Sequence, residues 1–343
     1  MTNPTISTRS PRPASVTARA GTNIALVKYW GKRDAALNLP AASSLSLTLA
    51  DFGSETTVRF AADAGESGRD RVAFGGAPAD AKFAERVRRF LDLVRARAGL
   101  SFPADVATTN TVPTAAGLAS SAAGFAALAL AASRAAGLRL SPSELSELAR
   151  RGSGSAARSI FGGFAEMHAG ARSDGSDAVA HQLLAEHAWD VRLCVAITAQ
   201  GEKEISSTTA MDRTATTSPY YLAWIASVAA DLAAARDALA AHDLATLGAV
   251  AERSALRMHA SAMAADPHIL YWNPATLAAI ATVKRLRADG LFAYFTIDAG
   301  PHVKVLCASA DAAKVQAALA ATPAVLRVLV LAPGPGATIV SES

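Results

Sequence analysis

Apolar and polar positions divide the chain into short strand-like runs and longer helical stripes. SVTARAGTNIALV, residues 15–27, reads as a strand that closes on a continuous apolar run from Ile24 to Val27. SSLSLTLADF and SETTVRFAA read as a strand pair joined around Gly53; RVAFGG reads as a short strand, and FPADVATTN alternates and reads as another. Between those two, in KFAERVRRFLDLVRARAG, Phe83, Val87, Phe90, Leu91 and Val94 recur at helical spacing. SPSELSELARRG carries a helix start: Ser141 as N-cap, Pro142 at the first position, Glu144 three residues after the cap and Gly152 as the stop. GFAEMHAG and AVAHQLLAE follow as strands.

Near Trp189 the pattern changes. DVRLCVAIT is a strand, the polar stretch from Gln200 to Ser218 reads as a long loop, and helices are expected over 220–241, 243–265 and 273–289. The sequence then runs through AYFTID, HVKVLCAS, DAAKVQAALAA and VLRVLVL. That order is β, β, α, β, able to form one antiparallel sheet backed by helices. The expected organisation is α+β, with a loose tail over 1–15, a first domain over 16–188 and a second over 189–343.

One stretch resists this pattern. In NIALVKYWGKRD the apolar strand runs without a turn signal into Lys28, Tyr29, Trp30, Gly31 and Lys32. If the strand persists, Lys28 shares a face with Ile24 and Leu26, and Tyr29 points to the opposite side. A lysine on an apolar face is costly unless something pairs with it.

Composition narrows the partners. Hydrophobic residues make up 51% of the 343 residues, much of it alanine, and the formal net charge is +4. That charge suits an anionic small molecule better than a nucleic acid, which calls for a dense basic stripe with interleaved aromatics. The arginines of residues 82–99 fall mostly on the solvated face of their helix. Residues 115–132 are alanine-rich, with Ser120 and Ser121 inside, and read as a buried helix rather than a membrane span. Cys194 and Cys307 each lie in an apolar run, without CxxC spacing, and are expected as two buried thiols in a reducing cytoplasm. The histidines lack metal-ligand spacing, so no structural zinc is expected and no metal ligand is assigned.

Three motifs carry candidate chemistry. NTVPTAAGLASSAAGFAAL, residues 110–128, takes a strand through a small-residue loop into a helix beginning around Leu118. Free N–H groups, small residues and two serine hydroxyls make it an anion cradle, although neither a P-loop nor GxGxxG is present; a tightly packed Ala/Ser helix accounts for it equally. RRGSGSAARSIFGG places Arg158 three residues after Ser155, where its guanidinium can fork onto a carboxylate or stand in solvent after a flexible turn. In FTIDAGPHVKV, Asp298 ends an apolar strand beside Gly300-Pro301. Taken alone it reads as an aspartate capping its own turn rather than as a general base.

Together with NIALVKYWGK and the later EISSTTAM and TSPYY, these segments resemble the GHMP superfamily of small-molecule kinases, and most closely its diphosphomevalonate decarboxylase branch. The likeness spans residues 16 to 308. It implies a two-domain GHMP kinase-like α+β fold, the N-terminal domain ribosomal-protein-S5-domain-2-like and the C-terminal one ferredoxin-like. It implies a homodimer that uses ATP and Mg2+ to phosphorylate the 3-hydroxyl of mevalonate 5-diphosphate, then releases phosphate and CO2 to give isopentenyl diphosphate. By the same likeness Asp298 orients or deprotonates the hydroxyl, Lys28 stands beside it and the transferring phosphoryl group, and Arg158 positions the substrate carboxylate. Tyr29, Lys32, Ser153, Gly154 and Ser155 match the site for the diphosphate and neighbouring groups. Asn23, Ser207 and Met211 match other cleft positions, and Ala116, Gly117, Leu118, Ala119, Ser120 and Ser121 match the ATP phosphate loop.

The sequence departs from the family pattern at His302, where DAGPN reads DAGPH, at Thr208, where many bacterial members carry an arginine, and at Ala210, usually glycine. The missing arginine weakens diphosphate binding unless Arg213 or Lys32 compensates. Action on mevalonate 5-phosphate, a 3-kinase that stops at phosphorylation, and a non-catalytic nucleotide-binding paralogue are the competing readings.

Overall fold

The computed structural model describes residues 15–66, 68–110, 121–201 and 204–343. The chain opens with β1 (Val16–Val27), the short β2 (Lys32–Asp34) and β3 (Leu39–Pro40), then β4 (Ser44–Phe60), β5 (Arg71–Phe74) and β6 (Ala77–Pro78). Helix α1 (Ala81–Ala98), β7 (Ala104–Asn110), α2 (Ser121–Ala135), α3 (Pro142–Gly152), the single turn α4 (Ala156–Ser159), β8 (Phe164–Met167) and β9 (Ala180–Leu184) follow. The later half comprises β10 (Val191–Ile197), α5 (Ser207–Thr217), α6 (Tyr221–Ala240), α7 (Leu244–Met263), α8 (Pro274–Ala288), β11 (Ala293–Ile297), β12 (Val303–Ala308), α9 (Ala312–Ala320), β13 (Arg327–Leu331) and β14 (Thr338–Glu342).

Two sheets organise these elements. The first runs β14-β1-β4-β7-β5-β6, with β8 and β9 added alongside β4. The second runs β11-β12-β10-β13 and is antiparallel throughout, as the β, β, α, β order predicts. Alanine explains how α2 seats itself: Ala122, Ala123, Ala126, Ala127 and Ala129 are all buried, so the helix lies close on β1 and β4. Helix α3 has the expected capping box, with Ser141 and Glu144 satisfying each other's backbone groups. Among the described residues no helix is long and apolar enough to cross a membrane. Cys194 and Cys307 are buried free thiols.

The expected strand pair around Gly53 is instead one strand. Both halves of β4 pair with β1: Ser54–Val58 with its first half and Leu45–Thr48 with its second. The chain accommodates residues 49–52 by a register shift and a left-handed Asp51 (φ 55°) rather than by folding back. Gly53 permits it. A Cβ there would lie 2.0 Å from the Ala20 carbonyl oxygen on β1. The polar stretch before Ser218 also holds a helix, α5, capped by the Ser206 hydroxyl on the Thr209 N–H. β14, not expected from the sequence, returns to pair with β1.

A core of Ile24, Leu26, Leu45 and Leu47 from the first sheet continues into Leu193, Val195 and Leu306 from the second, with Leu247 and Met258 of α7 between. The C-terminal end of β1 is thereby driven against the second sheet. Gly53→Ala is expected to cost more than about 2 kcal/mol, read by thermal unfolding; an unchanged midpoint would contradict the close β1–β4 approach.

Candidate active site where the two sheets meet

Regular strand geometry stops at Val27, so the alternation expected for Lys28 and Tyr29 does not hold. The Lys28 ammonium turns back to donate to the Ala25 carbonyl at 2.9 Å and to Asp298 Oδ1 at 2.6 Å. The Lys28 backbone N–H donates to Ser254 Oγ on α7 at 3.0 Å, and Thr296 Oγ1, on β11, donates to the same Ala25 carbonyl at 3.2 Å. The awkward lysine is thus buried but paired across the chain. A second lysine, Lys304 on β12, lies 3.0 Å from the other carboxylate oxygen.

Electrostatics follow from this arrangement. Burial lowers the Lys28 pKa to about 8; Asp298 resists the shift, while Lys304 and Arg158 add to it. Burial alone raises the Asp298 pKa, but the charges and hydrogen bonds of Lys28 and Lys304 overcome it and hold the carboxyl below its usual range. Asp298 keeps 35% of its side chain open, whereas Lys28 and Lys304 are 1% and 3% exposed. The carboxylate is therefore the accessible member of the cluster.

Arg158, on α4, is 2% exposed. Its Nε donates to Ser46 Oγ at 2.9 Å, one terminal nitrogen to Ser44 Oγ, and the other to Asn23 Oδ1 at 3.1 Å. All three acceptors are neutral. Asn23 is fixed in turn, donating to Ser155 O at 2.9 Å and Ser159 Oγ at 2.7 Å. Burial brings the Arg158 pKa down to about 10, so it stays charged at neutral pH. The open choice between a solvent-exposed arginine and a carboxylate fork thus narrows to a buried cation without a carboxylate partner among the described residues.

Tyr29 packs beside it, its ring centroid 5.9 Å from the guanidinium carbon. Its buried hydroxyl has no hydrogen-bond partner among the described residues. Burial raises its pKa to about 12. A Cβ on Gly154 would fall 2.2 Å from that hydroxyl, and the Ser153 and Ser155 hydroxyls lie 3.4 Å apart in the same turn.

Lys28, Tyr29, Asn23, Arg158, Asp298 and the Ser153–Ser155 turn therefore converge. Lys32 is half-buried on β2; burial lowers its pKa, Asp212 opposes the shift and Arg86 adds to it. Ser207 opens α5, and Met211 is 7% exposed in the shared core. Of the candidate phosphate loop, Ser121 begins α2, while Ala116, Gly117, Leu118, Ala119 and Ser120 lie outside the described residues.

The departures have local accounts. His302 Nδ1 accepts from the Thr198 N–H at 3.2 Å, tying the Asp298 loop to the end of β10. Burial, then the Lys304 charge, lowers its pKa to about 4. Ala210 is fully buried, Thr208 is exposed, and Arg213 donates to Pro267 O at 3.4 Å. Sequence reading missed Lys304, although a charge inside HVKVLCAS is the same signal that singled out Lys28. It also missed His259, 1% exposed on α7, whose pKa burial and then Lys28 lower to about 3.

Two sheets joined over a cluster of two lysines, a carboxylate and a buried arginine suit a phosphate- and carboxylate-handling enzyme of the GHMP kinase type. The chain belongs to the diphosphomevalonate decarboxylase family. A model of the diphosphomevalonate decarboxylase-like N-terminal domain matches residues 20–180, and one of the mevalonate 5-diphosphate decarboxylase C-terminal domain matches residues 193–326. The chain is 37% identical over 305 residues to the diphosphomevalonate decarboxylase of Aspergillus fumigatus, covering 84% of this chain and 76% of that one. It is 36% identical over 310 residues to that of Homo sapiens, covering 85% and 76%. Among solved structures, the mevalonate diphosphate decarboxylase of Enterococcus faecalis superposes with a TM-score of 0.88 at 41% identity, covering 96% of this chain and 99% of that one. That of Staphylococcus aureus gives 0.89 at 37%, covering 96% and 98%. A structure described as MDDEF in complex with MVAPP, AMPPCP and magnesium gives 0.89 at 42%, covering 96% and 99%.

A buried cation without a counter-ion lowers stability unless a ligand supplies one. Arg158→Met is accordingly expected to leave the unfolding midpoint within about 3 °C of wild type, measured by calorimetry. A fall beyond about 10 °C would instead give the guanidinium a structural purpose.

Proposed function

We infer that the chain catalyses ATP-dependent decarboxylation of mevalonate 5-diphosphate to isopentenyl diphosphate, ADP, phosphate and CO2. The observation that carries this reading is Arg158, a buried guanidinium with neutral partners in the same cluster as the Lys28–Asp298 pair. A phosphotransfer site alone has no use for it; a substrate carboxylate does. Family membership and the similar structure holding MVAPP, AMPPCP and magnesium support the substrates.

Asp298, exposed to the cleft and anionic, orients the 3-hydroxyl and accepts its hydrogen bond as the phosphoryl group arrives. Its lowered pKa makes it a weak base, so its main contribution is position and negative charge. Lys28 spends two of its N–H donors on Ala25 and Asp298, which leaves one for a phosphoryl oxygen. Phosphorylation converts a poor leaving group into a good one. Arg158 then holds the carboxylate ionised, so that the electrons of the C–CO2 bond form the alkene as phosphate departs. Tyr29, Lys32 and the Ser153–Gly154–Ser155 turn bind the diphosphate, Asn23 fixes Arg158, Ser207 and Met211 line the cleft, and residues 116–121 hold the ATP phosphates.

Among the described residues no three His, Cys, Asp or Glu side chains converge on a metal position. A Mg2+ ion fits as one carried by the nucleotide phosphates, where it neutralises their charge and leaves few ligands for the protein to supply. The same reading divides the chain near residue 189, supported by the change from first to second sheet, with the return of β14 as the exception. It also takes the protein as a cytoplasmic homodimer, for which the support is the resemblance and the two free thiols.

Purified protein with ATP, Mg2+ and mevalonate, its 5-phosphate or its 5-diphosphate is expected to release CO2 with the 5-diphosphate; ADP formation without CO2 would sink the reading. Asp298→Asn is expected to lower turnover about 10²–10⁴-fold.

The pH dependence has a defined sign. Lys28 is fully charged well below its pKa of about 8 and loses its proton as pH rises through it. kcat/KM, which reports the free enzyme, is expected to fall with an alkaline limb near pH 8, and the kcat limb to lie higher because bound phosphates favour the ammonium. An alkaline limb that Lys28→Arg fails to move upward would remove Lys28 from that role.

A further inference from the structure

Lys304 carries a charge for which the reaction as described has no use. It sits on β12, between β10 and β11, opposite Val195 and Thr296. Val303, Val305 and Cys307 of the same strand face one core, while Leu306, two residues on from Lys304, faces the other. An ammonium in such a strand is expensive unless it is paired. Its partner is Asp298 Oδ2 at 3.0 Å, while Lys28 holds Oδ1 at 2.6 Å.

The groups around Asp298 come from every element packed there: Lys28 after β1, Arg158 on α4, His259 on α7, His302 in the Asp298 loop, and Lys304. Burial keeps both histidines neutral at pH 7. The two ammoniums at contact distance therefore hold the carboxylate from opposite ends, and Lys28 alone has a further task.

We propose that Lys304 is a positioning residue for the reaction: by holding the second oxygen of Asp298 it fixes the carboxylate and lets Lys28 share its charge with the phosphoryl group in transfer. This rests on the function inferred above. Without Lys304, Lys28 becomes the only contact cation for Asp298 among the described residues and is held there. The loss also removes a positive neighbour from Lys28, so its ammonium persists to higher pH.

The test is Lys304→Met, which keeps the bulk and deletes the charge. Its kcat is expected to fall roughly tenfold or more with KM for ATP changed less than about threefold. Its alkaline limb is expected to move up by about one pH unit, a tenfold change in the Lys28 proton equilibrium. A folded Lys304→Met enzyme whose alkaline limb stays at the wild-type position overturns the proposal. Stability supplies a second readout. Lys304→Met is expected to lower the unfolding midpoint in wild type and to raise it in Asp298→Asn, where the ammonium has lost its partner. The same sign in both backgrounds overturns the proposal. Should Lys304→Met not fold alone, the double variant Asp298→Asn/Lys304→Met is expected to fold, and its failure counts against the proposal equally. Wild-type protein without turnover would fault the function instead, leaving this sign reversal to judge Lys304.

Discussion

The ion pair between Lys28 and Asp298 is the interaction on which the rest depends. Lys28 follows the last residue of β1, in the first sheet, and Asp298 follows β11, in the second. The pair closes at 2.6 Å only because the two sheets share a core and because Lys28 and Thr296 meet on the Ala25 carbonyl. One contact therefore both seals the junction and sets the charge of the site. Where it sits, an error in the packing of either sheet becomes an error in the chemistry.

The cleft concentrates positive charge at a cost. Lys28, Lys304 and Arg158 are all almost inaccessible to water, and among the described residues Asp298 is the single carboxylate pairing with the two lysines. Desolvation lowers the pKa of both Lys28 and Arg158. The histidines nearby have yielded altogether and stand neutral. Such a site is unfinished without anions. On the proposed function its preorganised cations would need little rearrangement when phosphate and carboxylate groups enter, which is where preorganisation assists a reaction that moves negative charge.

Much of this was readable from residues. Short apolar runs located the strands of the second sheet, helical spacing located α1, and the capping box located the start of α3. An unpaired-looking lysine pointed to Asp298, and the pairing is there. What escaped has physical reasons. Helix α5 buries only Ala210, Met211 and Thr214, too few apolar positions to mark a stripe. The β4 strand looked like a hairpin because Gly53 usually signals a turn, whereas here it admits a neighbouring backbone. The strand ends at Val27, so period-two alternation could not assign the faces of Lys28 and Tyr29. Lys304 was hidden by the same apolar run that buries it, and β14 by its exposed, mixed sequence.

The return of β14 bears on how the protein is made. β14 pairs with β1, residues Thr338–Glu342 lying against Val16–Arg19. During synthesis, β1 and β4 emerge early and can pair, but one edge of β1 stays open until residues 338–342 leave the ribosome. An open strand edge is a template for pairing with other chains. Until β14 arrives that edge of β1 is open to pairing with other chains, and the first sheet is completed only after every strand of the second has been made.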